Sequence, residues 1–256
     1  MTQTTQPSPL FLITGGNRGL GKAMATALAA AGADIILTYR SGATEAQATV
    51  AHITALGQKA AALCLDTTAH QSFATFTGAL ETTMNALGHT HLTGLVNNAG
   101  FGVHAPFATT TATQLDDLFA VHVKGPYLLI QALLPRLKDG GRILFVSSGL
   151  SRFTSPGFSA YGTMKGAVDT LTRYVAAELG PRGISVNAIA PGAIETDFGG
   201  GVVRDNAAAN AAVAQSTAMG RAGLADDIGG AVTALLMSPA NWVTAQRIEA
   251  SGGQNI

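Results

Sequence analysis

The stretch SAYGTMKGAV, from Ser159 to Val168, holds one phenol and one ammonium four positions apart among small side chains. Residues i and i+4 share a face of an α-helix. The composition of residues 160–180 is that of a long helix, so Tyr161 and Lys165 are expected to point the same way. A free phenol titrates near pH 10, too high for efficient proton exchange at neutral pH. A nearby cation favours the phenolate. Lowering the pKa by about three pH units takes roughly 4 kcal/mol of differential stabilisation. Lys165, helped by a second positive charge, is able to supply it. The same spacing also arises by chance on a solvated helix face, and the pair alone does not decide.

A second chemical signal is TGGNRGLGKAMA, at the end of the first apolar run. Gly15, Gly19 and Gly21 follow the spacing TGxxxGxG, with Asn17, Arg18 and Leu20 between them. A glycine straight after a strand allows a tight turn. The others let a pyrophosphate approach the backbone at a helix N-terminus, where free N–H groups favour anions. The pattern is a relative of GxGxxG rather than a match. The second apolar run leads into TYRSG, giving Arg40 and Ser41 and no carboxylate. An acidic residue there commonly receives the ribose hydroxyls of NAD, whereas arginine accommodates a 2′-phosphate. Arg18 and Arg40 suit a phosphate in charge and geometry, so NADP(H) is expected in preference to NAD(H). The alternative is that both are ordinary surface arginines.

Those residues need a scaffold. Short apolar runs at 10–14, 34–39, 61–66, 92–98, 141–148, 183–192 and 246–253 alternate with helical segments near 19–31, 43–56, 69–87, 111–138, 160–180 and 226–238. Strands that read as unbroken apolar runs are covered on both faces, which implies a parallel sheet. Repeated strand–helix–strand units imply right-handed crossovers. The expected fold is α/β: a single-domain, doubly wound, Rossmann-like parallel sheet of about seven strands with helices on both faces. Residues 1–9 read as a flexible tail, and residues 10–256 as the domain. The Gly-, Ala- and Asn-rich stretch 195–222 interrupts the alternation and reads as a substrate flap or plain loop.

Composition excludes several partners. Hydrophobic residues make up 47% of the 256 and charged residues only 12%, with a net charge of zero. About 25% charged is usual. No basic run offers a footprint for nucleic acid or an anionic membrane. No stretch approaches the roughly 20 apolar residues that cross a bilayer, and the N-terminus lacks the marks of a signal peptide. The expectation is a cytoplasmic protein. The charge-poor surface points to a homo-oligomer. The one cysteine, Cys64, reads as a buried strand residue. The histidines of HTH, residues 89–91, read as loop or surface residues with no metal set to join.

Five marks now stand in order: TGGNRGLG (14–21), NNAG (97–100), VSS (146–148), YGTMK (161–165) and PGAIET (191–196). Together they resemble the short-chain dehydrogenase/reductase family, common one-domain type, over essentially the whole chain after the tail. The resemblance implies Tyr161 as general acid/base, Lys165 lowering its pKa and binding the nicotinamide ribose, and Ser148 polarising the carbonyl. It implies Asp66 receiving the adenine amino group, and Asn98, Ala99 and Gly100 walling the adenosine ribose. Pro191, Gly192, Ile194 and Thr196 match the segment around the nicotinamide carboxamide. The family is commonly a tetramer built on helices matching 111–138 and 160–180.

One position departs from the pattern. The family usually has an asparagine, whose backbone carbonyl holds a water in a relay to the lysine, where VHVKGPY places His122. His122 then keeps the relay, adds a group titrating near neutrality, or impairs the relay; the plain alternative is a core histidine with one hydrogen bond.

The implied reaction moves a hydride from NADPH to a small-molecule ketone, reversibly from a secondary alcohol. Phe101, Leu150, Phe153, Phe158 and Phe198 read as apolar pocket walls, with Arg152 as one possible anion contact. That favours an apolar or aromatic ketone over an acyl-carrier thioester. The competing readings are a lyase on the same scaffold, against which the intact glycine cluster argues, and a non-catalytic dinucleotide-binding protein.

Overall fold

The first apolar run needs cover on two sides, and it has it. The computed structural model describes residues 8–239 and 241–256. In β1 (Leu10–Ile13) no side chain is exposed. Leu10 and Leu12 belong to one hydrophobic cluster, Phe11 and Ile13 to another. Alternate side chains along a strand point to opposite faces, so one apolar run feeds two cores.

The remaining strands are β2 (Asp34–Tyr39), β3 (Ala60–Cys64), β4 (Leu92–Asn97), β5 (Leu137–Val146), β6 (Ser185–Pro191) and β7 (Arg247–Ala250). All seven pair in parallel in the order β3-β2-β1-β4-β5-β6-β7. The helices are α1 (Gly19–Ala30), α2 (Ala43–Ala55), α3 (Phe73–Ala86), α4 (Ala112–Phe119), α5 (Gly125–Leu133), α6 (Ser159–Leu179), α7 (Val202–Asp205), α8 (Ala207–Gln215) and α9 (Ala225–Leu236). Met24 and Leu28 of α1, Ile53 of α2 and Val232 of α9 cover the face of Phe11 and Ile13. Phe76 and Leu80 of α3, Leu129 and Leu133 of α5, and Val168 of α6 cover the other. Each fully buried side chain of this size stabilises the fold by about 1.5–3 kcal/mol. The chain leaves β1 towards one face and β4 towards the other, which opens a crevice at their carboxyl ends.

The expected helix over 111–138 is instead α4, a π-helical turn (Ala120–Lys124), α5 and a 3-10 turn (Leu134–Arg136), while β5 begins at Leu137. A capping box starts it: Thr111 Oγ1 accepts from Gln114 N–H at 3.2 Å, and Gln114 Oε1 accepts from Thr111 N–H at 2.9 Å. Pro126 has no N–H to offer the carbonyl of His122 four residues earlier, and the widened turn falls there. By length and composition the run 112–136 matches a membrane span; Leu129, Ile130 and Leu133 of that run are buried in the core.

Three further expectations need correction. Cys64 is exposed, because it ends β3, the strand at the sheet's edge. His89 is not a free surface residue: its Nε2 lies 2.7 Å from Oδ2 of Asp34, and both side chains are nearly buried. Residues 198–215 are largely helical rather than loop, with Asn206 Oδ1 capping α8 through Ala209 N–H at 3.0 Å. Of the expected tail, residues 1–7 lie outside the described residues.

Candidate active site

The glycine turn is built for close approach. Gly15 has φ +64°, a conformation open to glycine. A Cβ on Gly21 would stand 2.1 Å from the carbonyl oxygen of Gly15, so α1 can start this close to the turn only with glycine there. Thr14 and Asn98 tie the turn to the end of β4. Thr14 Oγ1 accepts from the N–H groups of Asn98 and Ala99 at 2.9 and 3.0 Å. Asn98 Nδ2 donates to the carbonyls of Thr14 and Gly15 at 2.8 and 3.1 Å. Asn98 therefore braces the turn as well as walling the crevice.

The crevice is a cleft of about 600 Å³. It gathers Gly15, Asn17, Arg18, Gly19, Leu20, Gly21, Arg40, Ser41, Asp66, Asn98, Ala99, Gly100 and Thr196 from the expected dinucleotide set. Arg18 and Arg40 are exposed at its rim, and among the described residues neither makes an ion pair. Asp66 Oδ1 accepts from Thr68 N–H and Oγ1–H at 2.9 and 2.7 Å, which holds its carboxylate in place. These residues fit a dinucleotide with a 2′-phosphate: a glycine cradle that a Cβ would fill, and two unpaired guanidiniums beside it. Pro191 and Gly192 do not line this cleft, and Ile194 lines a second one of about 710 Å³ near β7.

Behind the cleft, α6 presents Tyr161 and Lys165 on one buried face. Lys165 Nζ donates to the carbonyl of Val146 at 2.7 Å and lies 5.4 Å from the centre of the Tyr161 ring. Ser148 hydrogen-bonds the Tyr161 hydroxyl, and its own Oγ accepts from Leu150 N–H at 3.2 Å. Leu118, Leu150, Phe158 and Met164 pack around the phenol. Burial raises the Tyr161 pKa, and the Ser148 hydrogen bond pulls it back only in part. Burial also lowers Lys165 to about 7 against the opposing pull of Asp169.

His122 is buried in the π-turn, and its Nε2–H donates to the carbonyl of Phe101 at 2.7 Å. Burial first, and then the Lys165 charge, lower it to about 3, so the imidazole is neutral and adds no titrating group near neutrality. Among the expected pocket walls, Phe101 and Phe198 reach the cleft, and Phe198 lies 5.6 Å from the Tyr161 ring, centre to centre. Phe153 packs under Gly149, where a Cβ would meet its ring at 2.7 Å. Arg152 is no free anion contact, since Glu249 takes its guanidinium in two hydrogen bonds of 2.7 Å. Sequence reasoning passed over Glu249, Arg247 and Asp169. The only available signal was two charges, i and i+2, in an otherwise apolar last strand.

Comparison with known proteins agrees with this geometry. The family model for enoyl-(acyl carrier protein) reductase matches residues 15–255. An uncharacterized oxidoreductase of Methylorubrum extorquens is 35% identical over 94% of this chain and 96% of its own length. Among solved structures, the promiscuous reductase LugOII, which catalyses a keto-reduction in lugdunomycin biosynthesis, superposes with a TM-score of 0.91 at 37% identity, covering 97% of this chain and 98% of that one. A short-chain dehydrogenase from Burkholderia cenocepacia in complex with NADP gives a TM-score of 0.88 at 34% identity, covering 97% and 98%. With the family model matched over nearly the whole chain and these relatives at 34–37% identity, the chain belongs to the short-chain dehydrogenase/reductase family, an oxidoreductase on a Rossmann-like sheet.

Proposed function

We propose that the protein is an NADPH-dependent carbonyl reductase, reducing a ketone to a secondary alcohol and running in reverse on the alcohol. The observation that carries this reading is the buried Tyr161 hydroxyl paired with the half-buried Ser148, with Lys165 beside them, behind a glycine-cradled cleft. When bound, NADPH supplies the hydride. The residues of this chain supply position, a proton and a field. Gly15, Gly19 and Gly21 let the pyrophosphate approach the N-terminus of α1. Arg18 and Arg40 hold the 2′-phosphate, giving NADP(H) preference over NAD(H).

Burial keeps the Tyr161 phenol protonated at neutral pH, the state that a donor to a developing alkoxide requires. Ser148 shares that oxygen through its hydroxyl. Lys165 offsets the negative charge left on the phenol. His122, neutral and fixed on Phe101, holds the wall beside the ring and takes no proton. Phe101 and Phe198 give the ketone an apolar surround in the cleft, while Leu150 and Phe158 pack around the phenol, which favours aryl and other apolar substrates. Leu115, Phe119, Tyr127 and Tyr174 remain exposed on α4, α5 and α6, which supports a homotetramer assembled through those helices.

The test is a panel of aryl and aliphatic ketones, their alcohols and an acyl-carrier thioester, followed by cofactor absorbance with NADPH and NADH. Expected is reduction of aryl ketones with NADPH, at least about tenfold faster than with NADH (a discrimination of ~1.4 kcal/mol). No turnover of any member with either cofactor would refute the reading.

A further inference from the structure

β7 lies at the sheet's edge and carries Arg247 and Glu249 on one face. Charges on an edge strand ordinarily face water and guard the edge. Here both turn inward, with side-chain exposures of 21% and 20%. Arg247 meets four groups. Its Nη2 donates to the carbonyl of Ser148 at 3.0 Å, its Nε to Ser151 Oγ at 3.0 Å, and its Nη1 to Glu249 Oε2 at 2.9 Å. Its Nε also lies 3.2 Å from Asp169 Oδ2.

Each contact leads towards the site. Ser148 is the residue whose hydroxyl reaches Tyr161. Asp169 follows Lys165 by one helical turn and accepts from Ser147 Oγ at 2.5 Å. Glu249 holds both ends of the turn after Ser148. It grips Arg247 on one side and, on the other, Arg152, which closes the 3-10 turn at Gly149–Ser151. Ser251 Oγ adds a third donor to Glu249 at 3.0 Å. Arg152 carries the tie on to the carbonyls of Gln254 and Asn255 at 2.8 and 3.1 Å. Two arginines and two carboxylates balance in charge, and the guanidinium forks fix direction as well as distance.

We propose that Arg247, clamped by Glu249, is a positioning residue for Ser148: the edge strand sets where the serine hydroxyl stands. This rests on the carbonyl-reductase reading for its functional consequence, while the clamp itself is independent of it. A hydroxyl displaced by about 1 Å from its productive place loses on the order of a hundredfold in rate. Arg247 touches neither the phenol nor the cleft, so its whole effect passes through Ser148 and the turn behind it.

A double-mutant cycle separates positioning from plain structural support. Wild type, Arg247→Met, Ser148→Ala and the double variant are compared with the best ketone of the panel. NADPH stoichiometry by cofactor fluorescence counts the competent sites. Arg247→Met is expected to lower kcat by roughly 10- to 100-fold, with KM and one NADPH per chain held. In the Ser148→Ala background the same substitution is expected to lower kcat by no more than about threefold. Equal losses in both backgrounds would overturn the proposal.

Hydrogen exchange reads the clamp without any substrate. In Arg247→Met the amides of residues 151–153 are expected to lose protection while those of 161–172 keep theirs. Unchanged protection at 151–153 overturns the proposal. Full activity of Ser148→Ala overturns the carbonyl-reductase reading instead, and exchange still decides the clamp.

Discussion

The imidazole of His122 stands edge-on to the Tyr161 ring, 5.4 Å between centroids and 82° between planes. Its Nε2–H is committed to the Phe101 carbonyl, so the ring acts as a fixed wall. Gly100 completes the arrangement, because a Cβ there would stand 2.3 Å from His122 Cε1.

Gly100→Ala therefore overfills the space beside the imidazole. A loss of about 1–3 kcal/mol is expected by urea unfolding, shrinking to less than about 1 kcal/mol in a His122→Asn background, where the side chain is smaller. Equal losses in the two backgrounds would show that the backbone, not the ring, demands glycine.

The pH dependence of stability carries the signature of His122. Its folded pKa, about 3, lies below the ordinary 6.5. The unfolded chain binds the extra proton in that window, so the stabilising contribution is full above pH 6.5 and is lost as pH falls towards 3. Unfolding curves at about pH 7 and pH 4.5 should show a smaller acid loss in His122→Asn than in wild type. An NMR titration should find no transition of this imidazole near neutrality.

Tyr161→Phe keeps the ring among Leu118, Leu150 and Phe158 and removes only the hydroxyl. Turnover is expected to fall by about 10²- to 10⁴-fold, the usual weight of a general acid, with NADPH affinity within about twofold. A variant that keeps most of its rate would remove Tyr161 from the proton-donor role.

Arg40→Asp should reverse the cofactor ratio. The exchange turns an exposed cation at the cleft rim into an anion. NADPH affinity should fall about tenfold or more, and NADH affinity should rise as a carboxylate becomes available to ribose hydroxyls. Unchanged dissociation constants for both would take Arg40 off the phosphate.

The sheet was legible because a parallel strand buried on two faces leaves an unbroken apolar run, and all seven runs became strands. Tyr161 and Lys165 were legible because their separation equals a helical turn and small residues surround them. The π-turn at His122 was not, since Pro126 is tolerated at several places near a helix start and does not announce a widened turn. The clamp was not legible either. Arg152 and Glu249 are 97 positions apart, and no local periodicity links them; only the neighbouring places of β5, β6 and β7 in the sheet do. Burial misled in one direction: Cys64 sits in an apolar run, yet the run ends at an edge.

Gly199, Gly200 and Gly201 all take positive φ, immediately after Phe198. Three successive residues without side chains leave this backbone with little steric restraint, and the Arg204–Asp197 pair at 2.6 Å spans the same turn. The Phe198 ring beside Tyr161 is thus mounted next to backbone that carries no side chains over three residues. The ion pair that spans this turn is exposed, so dissolved salt weakens its hold on the backbone next to Phe198.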